Sequence, residues 1–211
     1  MKNLTTEHDP SSQRLNVAAM MDSSFSNGPG DRCVIWVQGC PLRCEGCCNE
    51  NFQEFDTQKN MMPLHEVSNW IVDRVNEGVR GLSLSGGEPL HPHHLPLLRE
   101  IIKMAKEEVD FDVLAFTGYD DLNGIDLDGI DILVAGPYVY SFHHDSGLIS
   151  SSNQRVIRLT EAFSDVDDDW FWESERSMEI LIEDGLIHIT GLVHPEKINE
   201  FLRGRRETSG S

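Results

Sequence analysis

Residues 33–39, CVIWVQG, form a nearly continuous apolar run of strand length that passes directly into GCPLRCEGCC at 39–48. A short apolar run of this kind reads as a buried strand. Four of the five cysteines therefore sit on the loop that leaves it. Cysteines this close cannot cross-link distant parts of a chain, and pairs among Cys44, Cys47 and Cys48 would close only tiny, strained rings. The fold must therefore present a sulfur-rich loop at the end of a buried strand.

Disulfides are not needed for stability, because 211 residues can bury a substantial core. The first thirty residues lack a charged segment followed by an apolar one, and no apolar run is long enough to span a membrane. The expected location is the cytoplasm, where thiols stay reduced and clustered thiols point to metal. A formal net charge of −19 excludes nucleic acid as a partner, since phosphate binding needs a basic face.

The rest of the chain alternates between strand-like and helix-like patterns. Residues 1–14 are polar and expected to be flexible, LNVAAMM (15–21) is a first strand, and SNGPG (26–30) is a turn. Residues 49–62 have no clear period and continue the cysteine loop. From Pro63, the residues Val67, Trp70, Ile71 and Val75 make a helical stripe ended by Gly78 and Gly81. GLSLS (81–85) is a strand running into GGEP, and Leu97, Leu98, Ile101, Ile102 and Ala105 mark a second amphipathic helix. FDVLAFTGY (111–119) and IDILVAGPYV (130–139) are further strands. This alternation predicts an α/β fold of parallel βα units, with chemistry on the loops at the carboxyl ends of the strands. The loops so placed are GCPLRCEGCC, SGGEPLHPHH and FTGYDD. Beyond residue 160, SMEILIEDGLIHITGLV (177–193) predicts a hairpin turning at Glu183–Gly185, and PEKINEFLRGRR (195–206) a closing helix. The expected organisation is a flexible 1–14, a main domain at 15–160 and an extension at 161–211.

Cys40, Cys44 and Cys47 follow the spacing C-x3-C-x2-C. Three thiolates on one compact loop can hold an iron–sulfur cube that ordinarily takes four, leaving one iron open for chemistry. A zinc knob completed by Cys48, Cys33 or a histidine is the alternative, although zinc sites usually come as two separated C-x2-C pairs. Cys44 and Cys48 are also separated by three residues, so Cys48 competes with Cys47 as ligand. Cys33 lies inside the strand and reads as a small buried hydrophobe.

The C-x3-C-x2-C motif followed by a strand ending in Gly-Gly-Glu-Pro resembles the radical S-adenosylmethionine superfamily. Within it, NGPGDRCVIWVQGCPLRCEGCCN, LSLSGGEPL, FTGY, ILVAGPYV and SSNQRVI resemble the activating enzymes of anaerobic ribonucleotide reductase, over roughly residues 15–158. The resemblance implies a partial, open parallel β/α barrel with a small C-terminal hairpin and helix. It implies a [4Fe–4S] cluster on Cys40, Cys44 and Cys47. It further implies S-adenosylmethionine held by Ser85, Gly86, Gly87 and Glu88, with Tyr119 near the adenosine. The implied activity is reductive cleavage of S-adenosylmethionine to a 5′-deoxyadenosyl radical. The implied partners are a glycyl-radical protein and an electron donor such as flavodoxin or ferredoxin, with no membrane. This sequence departs from the family where Cys48 stands in place of a frequent histidine, and where the tail continues past residue 160. A radical enzyme acting on a small molecule or ribosomal peptide, or a metal-stabilised binding module without catalysis, would share the cysteine motif.

Secondary candidates are weaker. His91, His93 and His94 follow GGEP, and His143 and His144 stand together, but without a matching ligand set they read as solvated or capping groups. Asn153, Gln154 and Arg155 can contact cofactor or partner, or serve structure. Trp170 and Trp172 flank an acidic run and suit an interface, so the extension is expected to supply a docking surface rather than to cover the opening.

Overall fold

The computed structural model describes residues 13–55, 60–183 and 186–191. Seven strands form one sheet: β1 (Arg14–Ser24), β2 (Arg32–Val37), β3 (Met61–Pro63), β4 (Gly81–Gly86), β5 (Asp112–Thr117), β6 (Ile132–Ala135) and β7 (Arg155–Arg158). Their order is β3-β1-β2-β4-β5-β6-β7. Helices α1 (Leu64–Asn76) and α2 (Leu95–Lys106) lie in the β2-to-β4 and β4-to-β5 connections, and a short α3 spans Asp168–Glu173. The predicted hairpin is present as β8 (Glu179–Glu183) and β9 (Leu186–Thr190), pairing Glu183 with Leu186 and Glu179 with Thr190. The predicted closing helix at 195–206 lies outside the described residues.

The expectation of a parallel sheet holds only at its centre. Strands β2, β4, β5 and β6 are parallel, whereas β1, β3 and β7 join antiparallel. A short connection such as that from β1 to β2 can only reverse the chain, since a parallel return needs a long crossover. Residues 49–62, expected to be irregular, contain a 3-10 turn at Glu50–Phe52 and then β3, which pairs Leu15 with Met62. Strand β7 and helix α3 have too few residues to show a period in the sequence.

Alternation along the strands divides the core between two faces. Cys33, Ile35, Val37, Leu82, Leu84, Val113 and Ala115 face the side packed by α1 and α2, together with Val67, Ile71, Leu98 and Ile101. Leu114, Ile132 and Val134 face the other side, against Leu148, Ile149, Phe163 and Phe171. Trp170 and Trp172 pack against this second cluster. The two tryptophans expected at an exposed interface are therefore half-buried core neighbours, recruited because the second sheet face needs an apolar cover.

One buried ionic cluster ties the second face together. Arg32 has no exposed surface, and its guanidinium meets Asp112 at 2.7 Å and donates to Ser83 Oγ and the Leu82 carbonyl at 2.8 and 2.7 Å. Arg80 meets the other Asp112 oxygen at 2.7 Å, and both guanidinium groups lie over the Phe163 ring. A buried cation is tolerated only when paired and hydrogen-bonded in this way. None of the described helices is long and apolar enough to cross a membrane.

Candidate metal centre and its cavity

Strand β2 pairs with β4 up to Val37 and Gly86, and the ladder then continues through irregular backbone. The Gly87 amide donates to the Val37 carbonyl at 2.8 Å, and the Glu88 amide to the Gly39 carbonyl at 2.9 Å. On its other side the cysteine loop is closed at its base, where the Gly39 amide donates to Phe52 and the Cys40 amide to Gln53. Inside the loop, the Cys47 amide donates to the Cys44 carbonyl at 3.3 Å, and the Asn49 amide to Cys47 Sγ at 3.4 Å. Arg43 takes a left-handed backbone, φ 49°, which only a tightly constrained loop holds for a residue with a side chain. Asn49 Nδ2 reaches the Gly86 carbonyl at 3.3 Å and ties the two loops together.

Two residues that the sequence did not single out for this purpose fix the geometry from behind. Gln38 donates through Nε2 to the Glu54 carbonyl at 2.7 Å. The buried His94 ring lies between two carbonyl oxygens, Glu88 at 2.8 Å from Nδ1 and Gln38 at 3.0 Å from Nε2. Burial pulls its pKa down, and the two carbonyls pull the other way. His94 is therefore a strut between the cysteine loop and the GGEP loop, as its buried position after a loop proline permits. His91 packs beside it, and both His91 and His93 pack against Phe55.

These loops bound a cavity of 540 Å³ at the carboxyl ends of the parallel strands. That volume falls in the ~300–1,000 Å³ range of small-molecule sites. Cys40, Cys44, Cys47 and Cys48 all line it, as do Ser85, Gly86, Gly87 and Glu88. Trp36, Phe116 and Tyr138 give it an aromatic wall. Burial pushes the Cys40 and Cys44 thiols above their ordinary value. Among the described residues, no three His, Cys, Asp or Glu side chains converge on a point that would hold a single metal ion.

Cys33 stands apart from the cavity cysteines. It is fully buried, lies 3.5 Å from the Gly81 carbonyl, and has its pKa pushed up to about 12. Glu88 lines the cavity, but its carboxylate already accepts from Thr117 Oγ1 and from the amides of Leu90 and Gly118, at 2.7, 2.9 and 2.8 Å. Through these bonds it orders the FTGY loop. Tyr119 packs against the helix-side core and does not line the cavity. Burial, then the charges of Glu88 and Cys40, hold its pKa above the ordinary value, so it stands within their electrostatic reach.

The remaining candidates divide. Gln154 lines the cavity and braces it, donating to the Gly136 carbonyl and accepting from the amides of Ser150 and Ser151. Asn153 donates to the Pro137 carbonyl, and Arg155 pairs with Asp120, so both serve the loops around the cavity. His143 meets Tyr138 and Asp145, and His144 meets the Ser146 carbonyl. Sequence reading missed the hairpin contribution: Ile189, Thr190 and Gly191 line the same cavity. No local signal marks them, because their place there is set by long-range packing.

The "4Fe-4S single cluster domain" family matches residues 26–157. The anaerobic ribonucleoside-triphosphate reductase-activating protein of Vibrio cholerae is 34% identical over 149 residues, covering 64% of this chain and 92% of that protein. The protein of the same name from Escherichia coli K12 is 34% identical over 147 residues, covering 63% and 92%. That of Pasteurella multocida is 31% identical over 163 residues, covering 70% and 99%. About a third of this chain thus lies outside each match.

Proposed function

Because the chain belongs to the 4Fe-4S single cluster domain family, alongside the anaerobic ribonucleoside-triphosphate reductase-activating proteins, we propose that it is a radical S-adenosylmethionine enzyme that activates an anaerobic ribonucleotide reductase. The observation that carries this reading is that all four loop cysteines and the Ser85–Glu88 segment open onto one cavity at the carboxyl ends of β2 and β4.

The residues present fit the two cofactors. Cys40, Cys44 and Cys47 would hold the cluster, with Cys48 on the exposed rim as the competing ligand. Ser85, Gly86, Gly87 and Glu88 would receive S-adenosylmethionine, and Tyr119 would act on it at one remove, through the FTGY loop. When both are bound, the cofactors would supply one-electron reductive cleavage of the S-adenosylmethionine carbon–sulfur bond, with methionine as leaving group, and hydrogen-atom abstraction from the target. The chain's own residues bind, orient and exclude water. Trp36, Phe116 and Tyr138 provide apolar surface beside the thiols. His94, Asn49 and Glu88 hold the three loops in one arrangement.

The hydrogen donor in this reading is a backbone glycine of the reductase, and the electron comes from flavodoxin or ferredoxin. The four parallel strands play the part of an open partial barrel, and the enzyme acts in the reducing cytoplasm. The test is anaerobic incubation of the reconstituted protein with S-adenosylmethionine, a reductant and the host's anaerobic reductase. The expected result is about four irons per chain, 5′-deoxyadenosine as product and a glycyl-radical signal by electron paramagnetic resonance. A protein that binds zinc and no iron, or that makes methylthioadenosine instead, would overturn it.

A further inference from the structure

Ile189, Thr190 and Gly191 lie beyond the family match, which ends at residue 157, yet they reach the cavity. The hairpin β8–β9 forms its own two-stranded sheet and pairs with no strand of the main sheet among the described residues. It is fastened instead by side chains to the Ser24–Asn27 segment. The Glu179 carboxylate accepts from the Ser24 hydroxyl, from Ser26 Oγ at 2.6 Å, and from the Phe25 and Ser26 amides at 2.9 and 3.3 Å. Directly across the hairpin from Glu179, Thr190 Oγ1 accepts from Asn27 Nδ2 at 3.0 Å. Asn27 is nearly buried and is anchored in turn, since its carbonyl accepts from Ser83 Oγ at 2.7 Å and Ser83 is held by Arg32. A paired register thus brings two latch residues, Glu179 and Thr190, onto one short segment of the main domain, and Thr190 with its neighbour Ile189 becomes a cavity wall.

We propose that the Glu179-latched hairpin is a wall of the S-adenosylmethionine cavity, in which Ile189 and Thr190 contact the bound cofactor and Glu179 is the positioning residue that holds them there. This rests on the function proposed above. It assigns the extension to enclosing the site, opposite to the sequence expectation that it supplies a docking surface. The physical reason for such a wall is exclusion of water and of stray hydrogen donors from a reactive species. Four donors on one carboxylate give the latch geometric definition that a lone ion pair would lack.

The experiment measures equilibrium binding of S-adenosylmethionine to the iron-loaded, unreduced full chain, where no cleavage occurs, for wild type, Ile189→Trp, Glu179→Ala and Glu179→Gln. The same proteins, freed of iron, are treated with iodoacetamide and the alkylated cysteines mapped. Ile189→Trp is expected to weaken binding about five-fold or more, with unchanged iron content. Glu179→Ala is expected to weaken binding and to speed alkylation of Cys40, Cys44 and Cys47 while leaving Cys33 protected. Glu179→Gln, which retains one acceptor oxygen, is expected to fall between. Should wild type bind while all three variants bind equally and alkylate at wild-type rates, the wall is overturned and the proposed function stands. Iron-loaded wild type that does not bind S-adenosylmethionine would overturn both. If Ile189→Trp fails to fold, the Glu179 pair decides through the alkylation pattern, because a general loosening would expose Cys33 as well.

Discussion

An ideal Cβ built on Gly87 would stand 2.2 Å from the Gly39 carbonyl oxygen, the same oxygen that accepts the Glu88 amide. The GGEP loop and the cysteine loop therefore touch backbone to backbone. A Cβ on Gly86 would likewise meet the Val37 amide nitrogen at 2.5 Å, and Gly86 has φ 103°. In this structure both glycines are required by the adjoining backbone at Trp36–Gly39.

Gly87→Ala is expected to push the two loops apart, at a cost of about 1–3 kcal/mol. Because Gly39 adjoins Cys40, the displacement should reach the metal loop. Reconstituted Gly87→Ala should therefore lose iron as well as melt earlier. Full iron content with normal melting would mean that the loops yield without moving the cysteines.

Thiol chemistry should separate the five cysteines. Burial pushes Cys33 up to about 12, so at pH 8 almost none of it is thiolate, and the thiolate is the nucleophile. Cys40, Cys44 and Cys47 are half-buried, and Cys48 has surface exposed to solvent although local desolvation and the neighbouring Cys47 push its thiol up to about 11. Iodoacetamide on the iron-free protein should label Cys40, Cys44 and Cys47, reach the exposed Cys48 more slowly, and spare Cys33, as read by peptide mass spectrometry. Early labelling of Cys33 would contradict its placement in the sheet.

The strands and helices that carry the core were legible because they are long enough to show a period. CVIWVQG and the stripe Val67, Trp70, Ile71, Val75 are examples. The cysteine spacing and GGEP made the candidate centre legible as well, since those residues are local in sequence. What stayed hidden depends on contacts between distant residues. Nothing near Glu179 announces that it will meet Ser24, and nothing near Arg32 announces Asp112. Edge pairing was hidden for the same reason, since three residues at Met61–Pro63 become a strand only because β1 offers them an edge. Trp170 and Trp172 misled because an acidic neighbourhood suggests exposure, while the bare second face of the sheet needed covering.

Asp112→Ala should be among the most damaging single changes outside the cavity. It leaves Arg32 buried without a counter-charge, and removing one member of a buried pair costs about 3–5 kcal/mol. Arg80→Ala should cost less, since Arg80 is partly exposed and Asp112 keeps Arg32. Chemical denaturation of the iron-free protein would measure both. Equal losses would mean that the cluster acts as one unit and not through its buried member.

The latch should respond to acid in a defined direction. Partial burial alone would raise the Glu179 pKa, but the Ser24 and Ser26 hydroxyls and the Phe25 and Ser26 amides outweigh it, and the carboxyl is held below its ordinary value. A group depressed in this way stabilises the folded state while ionised. Its contribution is complete above the ordinary carboxylate range of about 4.3, and it is lost as pH falls through the lowered folded value. Wild type should therefore melt above Glu179→Ala at about pH 7, by roughly 2–4 °C if the bonds are worth about 1 kcal/mol. The gap should narrow as the pH is brought down towards about 3. Comparing the two proteins at each pH cancels the acid response of all other carboxylates, leaving that of Glu179 alone. A gap that stays constant across the range would mean that Glu179 holds the hairpin through packing and not through its charge.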